Sequence, residues 1–404
     1  MTETVLLLGT LDTKGHEYAF ARDRLRDLDV GVLLVDAGIN EPVGVEPDVG
    51  RGAVAEAAGA RVEDLASVGD RGAAVEAMAR GAAVVVRRLF DEGRFDGILA
   101  LGGSGGSSIA TAAMRDLPVG VPKLMVSTMA AGDTRAYVGA TDVTMMPSVV
   151  DIAGVNSVSA RIITNAAGAI AGMVGARVPE LARRKVIAAT MFGVTTPCVT
   201  RARALLDELG YEVLVFHATG TGGRSMEVLA SEGYLAGVLD VTTTELADDL
   251  VGGVLSAGAD RLEAAGRSGV PQVVSLGALD MVNFGPRETV PERFEQRRLY
   301  VHNPTVTLMR TTPEECAELG RRIGRKLSAA RGPTALFVPL HGVSMIDVEG
   351  QPFHDPAADR ALIDGVRETL DERVEVHELD MDINDERFAV AMARRLDELV
   401  GEAR

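Results

Sequence analysis

The chain alternates short runs of leucine and β-branched residues with longer Ala-, Arg- and Glu-rich segments of helical period. That alternation is the pattern of βαβ units and restricts the fold to parallel sheets flanked by helices. In the first part, strands are expected at 4–8, 31–36, 96–101 and 123–127, with helices at 16–28, 71–92 and 107–115. A Gly/Ala-rich helix follows from about 150 to 176, carrying Gly168, Ala169, Gly172 and Gly175. It is either an ordinary buried helix or a seam where small residues let another subunit or domain approach closely. The segment VPELARR (178–184) breaks the pattern with a proline and charges, and Lys185 restarts it. The expected fold is therefore α/β, with two Rossmann-like domains (1–180 and 185–404) built on mainly parallel sheets and a ligand cleft between them.

The second part predicts strands at 186–191, 213–217, 237–241, 272–276, 306–309, 335–340 and 374–379, with helices at 196–209, 313–330, 357–373 and 386–400. Residues 280–303 have no clear period, as expected of a functional or mobile loop. The last two strand–helix units are candidates to return and pack on the first domain.

Composition narrows the function classes. With 41 Lys and Arg against 58 Asp and Glu, the net charge of −17 disfavours a general nucleic-acid or anionic membrane surface. Two cysteines, Cys198 and Cys316, cannot build a disulfide framework or a four-cysteine zinc site, which fits a reducing compartment. The apolar run 5–8 is too short for a signal peptide, and 162–176 contains Thr, Asn and glycines unlike a membrane span. The expectation is a cytoplasmic protein.

In open parallel sheets, ligands bind beyond the carboxyl ends of strands. The strongest signal there is Gly102-Gly103-Ser104-Gly105-Gly106-Ser107-Ser108, which follows the strand ILAL and opens a helix. Four glycines let backbone amides approach an anion, and the helix adds its positive end. The loop is neither a Walker loop nor a first-unit G-x-G-x-x-G match, yet phosphate binding is the expected role. After the first strand come Gly9 and Thr10, which can approach a ligand, and Lys14, which can neutralise phosphate. Asp12 there is either a hydroxyl or Mg²⁺ ligand or a helix cap. Asp36 is read as a turn or helix cap, with a ribose-binding role as the alternative. Ser127 and Thr128 end the fourth strand, and Asp133 and Thr134 lie beyond on a tight loop. Asp133 is the candidate metal ligand, with a turn cap as its bland reading.

The second part has its own anion-binding pattern, TGTGGRSME after the strand ending at His217. Gly222, Gly223 and Ser225 are expected to hold a substrate phosphate or carboxylate with Arg224. Phe192, Thr243 and Glu245 lie on opposing loops as further substrate-binding candidates, Glu245 alternatively belonging to a helix cap. His217, Arg224 and His341 are the candidate catalytic residues. His302, Asn303 and Arg310 are weaker candidates, and Cys198 is read as a buried small residue before a nucleophile.

The loops GTLDTKGHE, LALGGSGGSS, VSTMAAGDTRAYVGATDVTMMPSVVDIAGVN, TMFGVTTPCV, FHATGTGGRSME, GVLDVTTTE, SLGALDMVNFG and PLHGVSMID together resemble one family. It is the uncharacterised Tm-one-like family, named after the N-terminal inhibitory domain of the tomato mosaic virus resistance protein. The resemblance runs over nearly the whole chain. It implies a two-subdomain Rossmann-like protein that binds ATP and often self-associates, a homodimer being favoured. The resemblance carries the ATP site onto Gly9, Thr10, the 102–107 loop, Ser127, Thr128, Asp133 and Thr134. Where Thr is expected at the close of the Gly-rich loop, this chain has Ser107, which keeps the hydroxyl. The plant domain's antiviral role is not carried over, because this chain stops at Arg404 without the barrel-like extension that follows it there.

Three functions fit these observations. The leading one is an ATP-dependent enzyme acting on a small acidic metabolite in the inter-domain cleft, with Mg²⁺, by phosphoryl transfer or carboxylate activation. The others are an ATP-responsive binding or regulatory module without turnover, and a nucleotide-independent hydrolase or lyase.

Overall fold

A computed structural model describes residues 3–179 and 184–403. Most of the expected interruption at 178–184, residues 180–183, lies outside the described residues. The chain divides into two compact units, Met1–Glu180 and Leu181–Arg404. Each is a parallel α/β sheet with helices on both faces.

The first unit runs β1 (Thr4–Gly9), α1 (Leu11–Arg26), β2 (Gly31–Asp36), α2 (Arg51–Ala57), α3 (Val62–Val68), α4 (Arg71–Asp91), β3 (Gly97–Gly102) and α5 (Ser104–Arg115). It continues through β4 (Lys123–Ser127), α6 (Arg135–Val138), β5 (Thr144–Pro147) and α7 (Ser157–Gly175). The sheet order is β2-β1-β3-β4-β5, every pair parallel. Strand alternation divides the core in two. Leu6, Leu8, Ile98 and Ala100 pack under α4 and α5, while Val5, Leu7, Leu99 and Leu101 pack under α1 and α7. By length and composition α7 could cross a membrane, but Ile163, Ala166, Ala167 and Ile170 on it are buried in the second of these clusters. It starts at Ser157, later than expected, capped by a reciprocal Asn156–Ser159 box. Among the described residues, an added Cβ on its Gly168, Gly172 or Gly175 would have no neighbour within 4 Å.

The second unit runs β6 (Val186–Met191), α8 (Thr196–Glu208), β7 (Glu212–His217), α9 (Thr221–Ser231), β8 (Gly237–Thr242), α10 (Glu245–Val251), α11 (Ala264–Ser268) and β9 (Gln272–Gly277). Then come β10 (Met281–Phe284), β11 (Leu299–Asn303), β12 (Val306–Arg310), α12 (Pro313–Ser328), β13 (Thr334–Pro339), α13 (Pro356–Thr369), β14 (Glu375–Leu379) and α14 (Glu386–Glu402). The main sheet has the order β14-β13-β9-β8-β6-β7. The last two strand–helix units complete this second sheet, and α14 shares its core with α8. The segment expected as a loop at 280–303 supplies β10 and β11. With β12 they form a small antiparallel sheet of order β10-β12-β11, so the strand expected at 306–309 lies there.

Candidate functional site

In the first sheet, β2 lies on one side of β1 and β3 on the other. The loops after β1 and β3 therefore part in opposite directions, which opens a crevice at their carboxyl ends. A cavity of about 610 Å³ lies there. Its floor is Thr10, Asp12, Gly38 and Gly103–Gly106, and its wall is Leu65, Ala74, Val75, Met78 and Ile109 from α3, α4 and α5. Six residues expected to bind a cofactor line it: Thr10, Asp12, Gly103, Ser104, Gly105 and Gly106.

The glycines of this loop separate into two kinds. A Cβ on Gly102 would come within 3.0 Å of the Gly106 Cα, so close packing of strand end on helix requires a glycine there. Gly103 has φ −85°, which any residue adopts, and a Cβ on it would meet nothing closer than the Thr128 Oγ1 at 3.7 Å. At Gly105 the nearest atom would be 3.5 Å away. Neither backbone conformation nor packing within the protein demands glycine at 103 or 105. Each glycine inside a helix costs about 1 kcal/mol relative to alanine. At Gly103, the N-cap of α5, glycine is itself a favoured residue; at Gly105, inside the helix, close approach of a ligand to the backbone is the remaining physical reason.

No side chain caps α5. Its first amides and its dipole thus make a positive pole facing the cavity. Arg71, at the start of α4, also lines the cavity, its guanidinium 4.0 Å from where a Gly105 Cβ would be. Among the described residues, no hydrogen bond or ion pair engages it. Sequence reasoning missed Arg71, since it opens an ordinary amphipathic helix thirty residues before the loop. Lys14 donates to the Ile152 carbonyl, which holds its charge at the cavity edge.

The acidic side is built by Asp12 and Asp36. Asp12 Oδ2 accepts the Asn40 amide at 3.1 Å and its side-chain nitrogen at 3.2 Å, whereas the buried Oδ1 has no partner. Asp36 accepts the Leu11 amide at 3.1 Å and the Gly38 amide at 2.8 Å, tying β2 to the start of α1. That is a capping role. Burial, with the Asp12 charge adding to it, raises the Asp36 pKa.

Other expected cofactor residues lie elsewhere. Gly9 serves the protein: a Cβ there would stand 2.1 Å from the Tyr18 ring, whose hydroxyl bridges the Leu8 and Leu101 carbonyls. Ser107 and Ser127 are buried and hydrogen-bond each other at 2.6 Å, pinning α5 to β4. Ser127 and Thr128 line a second cavity of about 410 Å³ at the ends of β4 and β5, together with Ala131 and 147–151. Asp133 and Thr134 line neither cavity. Asp133 is exposed and held by Arg135 through contacts of 2.6 and 3.0 Å, which lower its pKa to about 2. It is a turn residue paired with its neighbour, which corrects the expected metal ligand. Among the described residues no group of three or more His, Cys, Asp or Glu is arranged to hold a metal ion.

The second Gly-rich loop has the opposite character. Glu245 is fully buried, and its Oε1 accepts the amides of Gly220 at 2.6 Å and Gly223 at 3.1 Å. The chain's own carboxylate stands where a substrate anion was expected. Its Oε2 pairs with Arg261 at 2.7 Å, and Arg261, also fully buried, bridges to Asp240 at 2.5 Å and Glu227 at 3.3 Å. Glycine here is enforced from within: a Gly223 Cβ would sit 2.0 Å from Glu245 Oε2, a Gly222 Cβ 1.9 Å from the His217 carbonyl, and Gly220 has φ +85°. Gly222, Gly223 and Glu245 therefore hold the fold rather than a substrate.

The remaining candidates are dispersed. Arg224 is exposed and donates to the Ser256 carbonyl at 2.8 Å, and Ser225 beside it is half-buried. Thr243 is buried, its hydroxyl on the Ser275 carbonyl at 3.2 Å. Phe192 packs on a cluster with Val194, Met281 and Leu308. His217 is exposed at the end of the edge strand β7, and His341 is exposed after β13, paired with Asp380 at 2.6 Å. Three strands separate β7 from β13, so the two histidines stand at strand ends about 19 Å apart across the sheet. Arg310 is buried among Asp347 at 3.0 Å and Asp359 at 2.8 Å, a structural ion network. Burial pushes the Cys198 thiol up to about 12, which removes it as a nucleophile.

Comparison with known proteins agrees with this two-unit division. The description "Uncharacterised protein family (UPF0261) N-terminal domain" matches residues 3–179, and the C-terminal domain of the same family matches 184–400. A UPF0261 protein of Clostridium tetani is 54% identical over 98% of this chain and 98% of its own length. Another from Rhizobium meliloti is 48% identical over 96% of both. The ToMV resistance protein Tm-1(GCR237) of Solanum lycopersicum is 40% identical over 96% of this chain, which spans only 54% of that protein. Among solved structures, a UDP-N-acetylglucosamine 2-epimerase from Rickettsia bellii aligns with 68% of this chain and 78% of its own. Its identity is 11% and its TM-score 0.23, a superposition too loose to bear on fold or function. With both domain descriptions matched across almost the whole length and close full-length relatives carrying the same name, the chain belongs to the uncharacterised protein family UPF0261.

Proposed function

We propose that the chain binds ATP in the cavity at the carboxyl ends of β1 and β3, with the phosphates on the amino end of α5. The observation that carries this reading is the room left at Gly105, inside α5, where no demand of the fold explains a glycine, beside a helix start that no side chain caps. Arg71 supplies a cation beside that room, and guanidinium–phosphate contacts are strong. The apolar wall of Leu65, Val75 and Met78 suits a base. A volume of about 610 Å³ is in the range of small-ligand pockets. A Mg²⁺ ion accompanying the triphosphate would be held mainly by phosphate oxygens and water.

The test is a calorimetric titration with ATP, with and without Mg²⁺, on the wild type and on Gly103→Asp. Saturable binding that the variant loses supports the reading. No binding to the wild type overturns it.

Turnover on an acidic metabolite held by the second unit has less support. The loop meant to grip that metabolite is closed on Glu245, and His217, Arg224 and His341 are dispersed. ATP-responsive binding without turnover is therefore the reading we favour for the chain.

A further inference from the structure

The second cavity of the first unit has features of its own. Its rim is Val149, which has φ +63° and is 79% exposed. A β-branched residue avoids that conformation, and three interactions hold it there. The Ser148 amide bonds to the Ser127 carbonyl at 3.1 Å, the Val150 amide to the Ser148 carbonyl at 2.7 Å, and the Ser148 hydroxyl to the Val150 carbonyl at 2.7 Å. The result is a three-residue turn of the strained hand. It projects an apolar side chain outward, where burial gains the fold little. Strain of this kind concentrates where a ligand is gripped.

The lining defines the ligand's chemistry. Ser127 and Ser148 spend their hydroxyls on Ser107 and Val150, leaving Thr128 and Asp151 as the polar groups without a partner among the described residues. No cationic side chain lines the cavity. Ala131, Pro147 and Val149 supply apolar wall. Asp151 lines both this cavity and the larger one, and Thr128 faces the Gly103 end of the Gly-rich loop.

We propose that this cavity is a second small-molecule site, taking a non-anionic compound that carries hydroxyl or amino groups. Asp151 accepts hydrogen bonds from those groups, and Val149 covers the compound's carbon skeleton. An anion is rejected, because Asp151 repels it and nothing on the wall neutralises it. The site stands on its own walls and survives if the larger cavity takes something other than ATP.

The test is saturation-transfer NMR with three probes of similar size, ethanolamine, glycerol and lactate, on the wild type, Ala131→Trp and Asp151→Asn. Ala131 is exposed, so the tryptophan fills the cavity without entering the core, and an unchanged melting temperature verifies that the variant folds. Ethanolamine and glycerol are expected to give signals on the wild type that fall at least fivefold in Ala131→Trp, with lactate giving none. Asp151→Asn is expected to weaken ethanolamine more than glycerol. Lactate signals equal to the others, no signal from any probe, or signals indifferent to both substitutions each overturn the proposal. A parallel ATP titration keeps the two readings apart, since loss of ATP binding alone leaves this result standing.

Discussion

The carboxylate of Glu245 accepts the amide of Gly220 at 2.6 Å, so an acidic side chain from α10 sits at the amino end of α9. Its other oxygen is neutralised by Arg261 inside the same buried network. Without Glu245, Arg261 stays neutralised by Asp240 and Glu227, but the buried Gly220 amide is left without its acceptor, which costs about 1–3 kcal/mol. Glu245→Ala is therefore expected to lower the stability of the second unit by that amount in urea unfolding. A loss under about 1 kcal/mol would show that water replaces the carboxylate freely, and the structural role would be wrong.

The two kinds of glycine give a paired prediction. Gly9→Ala and Gly222→Ala push a methyl to within 2.1 and 1.9 Å of fixed atoms and are expected to destabilise strongly, by at least the ~1–3 kcal/mol of overpacking. Gly105→Ala, inside α5, places its methyl 3.5 Å from the nearest atom and is expected to leave the melting temperature unchanged or slightly higher while weakening ATP binding. Equal melting shifts at all three positions would contradict the distinction.

Arg71→Ala is expected to weaken ATP about 10- to 100-fold, the range for a hydrogen bond to a charged group, with no change in stability. Arg224→Ala is expected to change neither, because its guanidinium rests on the Ser256 carbonyl in the other unit. Calorimetry on both variants checks the contrast, and equal affinities in the two would remove Arg71 from the site.

Burial first, and the charge of Glu245 after it, push Asp248 up to about 7 from its ordinary 3.8. The folded chain thus keeps a proton that the unfolded chain releases between about pH 4 and 7. Stability from this group is full below pH 4 and is lost as pH rises through 7. Asp248→Asn, which cannot ionise, is expected to flatten the fall in urea midpoint between pH 4.5 and 8. An identical slope in the variant would count against the assignment.

The alternation of strand and helix made both parallel sheets legible, and β2 (Gly31–Asp36), β4 (Lys123–Ser127) and β6 (Val186–Met191) were legible to the residue. Three short strands were not. β5 and β10, of four residues each, are too short to set up a period, and β11, LYVHN, is polar and exposed at its end. The loop at Gly102–Ser107 was visible because four glycines rarely precede a helix without cause. Its resemblance to the TGTGG loop was misleading, since composition does not tell whether the amides face outward or meet a carboxylate more than twenty residues away. Gly9 was misread for the same reason: only the folded position of Tyr18 explains it.

A loop that carries its own counter-ion is saturated from the moment it folds. The interaction of Glu245 with the Gly220 and Gly223 amides is intramolecular, so what it contributes to stability does not vary with the concentration of any dissolved anion. On the proposed reading, the Gly103–Gly106 amides take their anion from outside the chain. By mass action the first unit then gains roughly 1.4 kcal/mol for every tenfold rise in that ligand above its dissociation constant. One Gly-rich loop is thus indifferent to dissolved anions, whereas the other, on the proposed reading, reports them as a change in melting temperature.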